Sequence, residues 1–208
     1  MATGAKPVNK APLSLIIWKS IWYGFIVGVA SGWVKLGWEQ VFPPRTLSRA
    51  VSNEPQYLLQ QLGIPYDLTH TFGYYSDNEI QWMAFIVHFS FSIFFSMLFI
   101  FLVQYWPKVA KFEGAFYGFV LWVVFHLIIL PAFGNVPPMW GQPGWELFSE
   151  CFGHIAWAWA ICCFSWLLIA KQRRKTLLLP EIGWGYTKRI ASPNDGQQEI
   201  LDNPWADR

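Results

Sequence analysis

Four stretches of about 20 apolar residues, joined by polar segments, constrain this chain more than any other feature. They occupy residues 13–38, 82–105, 114–133 and 147–170. Each matches the thickness of a bilayer core, and a backbone in hydrocarbon has to satisfy its own hydrogen bonds, which a helix does. The expected fold is therefore all-α: a polytopic membrane protein with four transmembrane helices. Composition agrees, since 54% of the 208 residues are hydrophobic and only 13% are charged, about half the charged share of a soluble domain. The first run follows a short basic leader, residues 1–12, but it is too long for a cleaved signal peptide, and no small-residue cleavage site follows it. One membrane domain, 13–170, with an outer loop at 39–81 and a tail at 171–208, is the expected organisation.

The basic residues orient it. Lys6, Lys10 and Lys19 lie before or within the first run, Lys108 and Lys111 between the second and third, and Lys171, Arg173, Arg174 and Lys175 directly after the fourth. These regions share one side, which the positive-inside rule makes cytoplasmic, so both termini are expected there. The other side has Lys35, Arg45 and Arg49 against Glu39, Glu54, Asp67, Asp77, Glu79, Glu146 and Glu150. No basic stripe alternates with aromatics, so nucleic acid is not an expected partner. The expected partners are the lipid bilayer and further copies of the chain.

Gly24, Gly28 and Gly32 recur every fourth residue, and Gly114 and Gly118 repeat the spacing in the third run. Such faces let a neighbouring backbone approach closely, within a bundle or between subunits. In the outer loop, Ser52, Pro55, an amphipathic stretch from Tyr57 to Leu62 and then Gly63 predict a short surface helix. Residues 134–146, rich in Pro and Gly, predict a tight cap over the bundle. Trp18, Trp38, Trp82, Trp106, Trp140 and Trp145 near helix ends, and Trp184 in the tail, read as interfacial anchors. From Ser192 the tail has the composition of a disordered segment. Cys151, Cys162 and Cys163 fall within the fourth run and read as packed thiols.

Three histidines, His88, His126 and His154, occupy one apolar run each. Counted from the outer ends at 1.5 Å per residue, all three sit roughly 9 to 11 Å deep. Glu150 is one turn from His154, and Lys35 is one turn from Glu39, so polar groups gather in the outer half. Ionisable groups at such depth face a bundle interior or a wet cavity, and they mark functional sites by default. Two readings stand side by side: a proton, metal or ligand cluster of His88, His126, Glu150 and His154, or histidines serving as interhelical hydrogen-bond glue. Lys35 and Glu39, with Arg45 as a further supporting polar residue, also suit simple snorkelling to the interface. No phosphate-binding loop, serine-hydrolase elbow or HExxH pair occurs, so neither an enzyme nor a resident cofactor is expected.

Several of these residues also form a recognisable series. Val34-Lys35-Leu36-Gly37-Trp38-Glu39 leading to Pro43-Pro44-Arg45 comes first, then His88 with Phe91-Ser92-Ile93 and Trp106-Pro107-Lys108. Glu113-Gly114, His126, Pro131 with Gly134, Pro137-Pro138, Trp145-Glu146, Ser149-Glu150 and Phe152-Gly153-His154 with Trp157 and Trp159 follow in order. The series resembles the YagU family of bacterial inner-membrane proteins from about Gly24 to Trp159. The resemblance implies a four-helix inner-membrane protein associated with acid resistance rather than with a known reaction.

The leading expectation is that the histidine and glutamate cluster senses or handles protons at the outer face. A channel or transporter for a proton, a metal ion or a small solute is the alternative, and a haem site or a structural scaffold built on the glycine faces are further ones. Which metal, if any, and which small ligand stay open at this level.

Overall fold

The computed structural model describes residues 12–45 and 52–175, with side chains through residue 168. Lys6, Lys10, Arg49, the side chains of Lys171, Arg173, Arg174 and Lys175, and the tail from Thr176 with its Trp184 lie outside the described residues. The elements run α1 (Leu13–Val41), α2 (Glu54–Gln61), α3 (Tyr66–Thr69), β1 (Phe72–Tyr75), β2 (Asn78–Gln81) and α4 (Trp82–Val103). After them come α5 (Ala115–Trp122), a π-helical segment (Val123–Ile129), α6 (Leu130–Ala132) and α7 (Gly144–Lys175). Four spans, Leu13–Val41, Trp82–Val103, Ala115–Ala132 and Gly144–Leu168, are long and apolar enough to cross a membrane. The fold is thus mostly helical, with four candidate membrane spans.

Glycine decides which helices touch. Gly24, Gly28 and Gly32 face Met97, Ile93 and Phe89 of α4 in turn, so α1 and α4 run antiparallel with their backbones in near contact. The face works within the chain, since a Cβ on Gly28 would overlap the Ile93 Cα. Gly118 meets the His154 carbonyl and Gly114 the Ala158 carbonyl, which packs α5 antiparallel to α7. Gly114 also has φ +88°, a left-handed start to α5 that only glycine adopts without strain. α1 packs along α7 as well, and Trp38 reaches Ser149, so the ends of α1 and α7 nearest the 39–81 loop, called outer here after the expected orientation, are neighbours.

Between the helices lies an apolar core that includes Val27, Phe99, Ile100, Tyr117, Leu121, Trp157 and Ile161. Polar side chains in it are matched across helices. Trp157 Nε1 donates to Ser92 Oγ at 2.8 Å, Ser92 Oγ donates to the Gly28 carbonyl at 2.7 Å, and Tyr117 donates to the Phe95 carbonyl at 2.9 Å. With no water to compete, such bonds fix the rotation of each helix about its axis.

The outer loop folds as a small unit, and it corrects the sequence reading in two places. The cap of α2 is Asn53, not Ser52: Asn53 and Gln56 exchange side-chain and backbone bonds in a capping box. Ser52 Oγ instead pairs with His70 Nε2 at 3.1 Å. Residues 72–81, where no strand was expected, form an antiparallel hairpin, Phe72 opposite Gln81 and Tyr75 opposite Asn78, turning through Ser76 at φ 53°. Gln81 Oε1 accepts from Asn53 and Gln56 at 3.0 and 3.2 Å, which ties the hairpin to α2. Gln61 donates to the Phe133 carbonyl at 2.6 Å, tying α2 to the outer end of the third span.

Tryptophans divide differently from the interfacial expectation. Trp18, Trp82, Trp106, Trp140 and Trp145 are exposed on the bundle surface. Trp38 instead donates to the Ser149 carbonyl at 3.0 Å, an α1 to α7 bond, because Ser149 Oγ in turn donates to the Phe42 carbonyl and seals that corner.

The packing makes a testable contrast between glycines. Gly28→Ala is expected to cost about 1–3 kcal/mol by overpacking against Ile93. Gly37→Ala, where a Cβ meets nothing within 4 Å, is expected to be neutral or stabilising. Thermal unfolding of the detergent-solubilised variants measures the difference, and equal midpoints would contradict the antiparallel glycine face.

Candidate functional site

The outer ends of α1, the third span and α7 each deliver charge or imidazole to one buried place. α1 supplies Lys35 and, one turn on, Glu39, which are paired directly. α7 supplies Glu150 and His154, again one turn apart on the face turned to α1 and α5. Lys35 Nζ lies 3.8 Å from Glu150 Oε2, so the lysine serves two carboxylates on two helices. Lys35, Glu150 and His154 are buried, at 8%, 6% and 3% exposure, and Lys35 is therefore no snorkelling residue.

His126 reaches this place through irregular backbone. It sits inside the π-helical segment Val123–Ile129, where the Leu130 N–H bonds back to the Phe125 carbonyl. Pro131 explains the irregularity, since it lacks an N–H and its ring crowds the carbonyl four residues earlier, so the ladder widens upstream of it. The result sets His126 Nε2 at 3.4 Å from Glu150 Oε2 and its ring centroid 4.7 Å from that of His154. His154 Nδ1 donates to the Glu150 backbone carbonyl at 2.8 Å and lies 3.9 Å from Glu150 Oε2. A carbonyl oxygen only accepts, so Nδ1 has the proton and the Nε2 lone pair stays available.

His88 does not join this group, contrary to the four-residue cluster expected from depth. Its Nε2 donates to the Gly32 carbonyl at 3.1 Å, so it acts as interhelical glue between α4 and α1. Depth counting gave its height in the membrane but not its azimuth, and α4 turns it toward the glycine face. Trp157 is within the polar region, its ring 6.0 Å from that of His154, whereas Trp159 is 52% exposed and points away.

A third carboxylate belongs here that sequence reading placed only on the outer side. Glu54, in the first turn of α2, forms an ion pair of 2.5 Å with Arg45, just beyond α1. Burial and the Glu150 carboxylate raise the Glu54 pKa above the usual range, against the pull of Arg45 and His126, with Glu39 adding a smaller push upward. In the sequence Glu54 stood only among the acidic residues of the outer side; its place in the first turn of α2 was the one local signal.

The comparisons with known proteins bear on this geometry. The profile of a family described as "Protein of unknown function (DUF1440)" matches residues 29–163. Inner membrane protein YagU of Escherichia coli (strain K12) is 30% identical over 163 aligned positions, covering 66% of this chain and 78% of that protein. The chain belongs to the DUF1440 family. No solved structure matches it. The matched segment of this DUF1440 protein begins inside α1 and ends inside α7, so it contains Lys35, Glu39, Arg45, Glu54, His88, His126, Glu150 and His154. Four apolar spans and an inner-membrane relative make it a multi-pass inner-membrane protein.

Chemically, the site can accept a proton or a cation. One ligand atom from each of His126, Glu150 and His154 lies within 4.8 Å of the others, so these three residues could also hold a metal ion. Lys35 is what keeps the buried Glu150 and the half-buried Glu39 tolerable. Lys35→Met is expected to destabilise the folded protein by about 3 kcal/mol, since breaking a buried pair strands the opposite charge. Adding Glu150→Gln to that variant is expected to restore part of the loss; a double-mutant cycle with no coupling in thermal unfolding would contradict the shared lysine.

Proposed function

We propose that this protein responds to acid on the outer side of the inner membrane, with both termini cytoplasmic, through the buried cluster and the loop docked on it. The carrying observation is a charge mismatch. Lys35 and Arg45 stand against Glu39, Glu54 and Glu150, so two cations face three carboxylates in ion pairs at the outer end of one bundle. One proton brings the set to neutrality. In a medium of low dielectric, that surplus negative charge is costly, and the site gains free energy by taking up a positive charge from outside.

The direction of the response follows from Glu54. Docking α2 raises its affinity for a proton relative to a solvated glutamate, because burial and Glu150 outweigh Arg45. A state that binds protons more tightly is favoured as pH falls, so acid holds the outer loop down over the cluster, and the gain appears as pH drops through the raised value. The charged and titratable groups facing Glu54 are Arg45 from the end of α1, Lys35 and Glu39 from α1, His126 from the third span and Glu150 from α7. Inside the mouth, the proton meets imidazole and carboxylate within 3.4 Å of each other, a spacing suited to passing it on.

The acid link is consistent with the family resemblance. Hydrogen exchange across residues 52–81, corrected for intrinsic rates, should slow as pH falls from 7 to 5 in the wild type. In Glu54→Gln it should lose that pH dependence. Expression of the protein should improve the survival of acid-challenged cells, and Glu150→Gln should abolish that benefit while leaving membrane abundance intact. Full survival with Glu150→Gln, or pH-dependent exchange that persists in Glu54→Gln, would each count against the proposal.

A further inference from the structure

The geometry points to a divalent transition-metal site formed by His126, Glu150 and His154. It deepens the reading above by naming a ligand for the same cluster, and it depends on donor positions rather than on any protonation state. Two imidazoles and one carboxylate, each offering an atom within 4.8 Å of the others, are the donor set that borderline ions such as zinc or cobalt take.

Three observations separate this from ordinary hydrogen-bond glue. First, His126 Nε2 and Glu150 Oε2 are 3.4 Å apart, longer than a charge-assisted hydrogen bond of about 2.7–2.9 Å. Two ligands on one tetrahedral ion, each about 2.0–2.1 Å from it, are separated by roughly 3.3–3.4 Å, so the spacing fits a shared ion. Second, His154 donates its Nδ1 proton to the Glu150 backbone carbonyl, which orients the ring and leaves the Nε2 lone pair unprotonated; Nδ1 itself lies 3.9 Å from Glu150 Oε2. A ligating histidine is usually held in this way by a bond from its other ring nitrogen. Third, the irregular helix above Pro131 brings His126 to the site, and π turns concentrate at functional positions. His88, bonded to the Gly32 carbonyl, is outside the set.

Lys35 is the opposing feature, 3.8 Å from the carboxylate oxygen the ion would take. It has a second partner in Glu39, so the ammonium keeps a carboxylate when Glu150 turns to the metal. Three protein ligands leave a fourth position open.

The test uses the full chain in detergent, stripped with chelator and titrated with Co²⁺ at neutral pH. One Co²⁺ per chain with the visible absorption of a tetrahedral site is expected, retained in His88→Gln and lost in His126→Gln and in Glu150→Gln. His126→Cys keeps a ligand and should add a thiolate-to-metal absorption band, which distinguishes lost coordination from lost folding. No stoichiometric Co²⁺ in the wild type, or binding that survives both His126→Gln and Glu150→Gln, would overturn the assignment. The chelator-stripped protein separates the two readings: pH-dependent exchange of the outer loop without Co²⁺ binding would leave the acid response standing and remove the metal alone.

Discussion

A lysine shared between two helices organises the outer half of this protein. Ionic groups in hydrocarbon surroundings cost several kcal/mol each unless they are paired, so Lys35, Glu39 and Glu150 constrain one another's position more tightly than apolar contacts do. Pairing across α1 and α7 fixes their relative height at the outer end. Trp38 and Ser149 secure the same junction with backbone-directed bonds. Below it, the glycine faces and the Ser92 and Trp157 bonds set the distance and rotation of α4 against α1 and α7.

The outer loop is part of this arrangement rather than an appendage to it. Its capping box and hairpin make a folded unit, and Glu54 in the first turn of α2 meets Arg45 just beyond the end of α1. Desolvated carboxylates repel one another through a poor dielectric, so the ionisation of the loop residue is tied to that of Glu150 although they lie in different segments of the chain. Proton uptake and metal binding are two answers to the same surplus of negative charge. The first works through the mouth of the site and the second through the imidazoles within it.

Irregular backbone has a definite place in the architecture. Pro131 interrupts the third span near its outer end, and the widened turn that results holds His126. A regular helix from Ala115 to Ala132 would present a different face at that height, since each residue added to a turn changes the azimuth of everything beyond it. The break meets the rest of the protein through His126, which lies against Glu150 and His154, while Ile128 on the same segment stays exposed.

The four spans and the small-residue faces were legible in the sequence, because hydrophobic run length and residue spacing are local properties that no tertiary contact alters. The short α2 was legible too, apart from its cap, since Asn53 and Ser52 are both capping residues and only the reciprocal bond to Gln56 chooses between them. Azimuth was not legible. His88 and His126 were expected at similar depths, yet one bonds the Gly32 carbonyl and the other approaches Glu150, because the side of a helix a residue faces depends on which neighbour it packs against and on where Pro131 loosens the ladder. The membership of Glu54 and the hairpin were likewise decided only in three dimensions. Both arise from contacts between segments distant along the chain, where neither periodicity nor propensity holds the information.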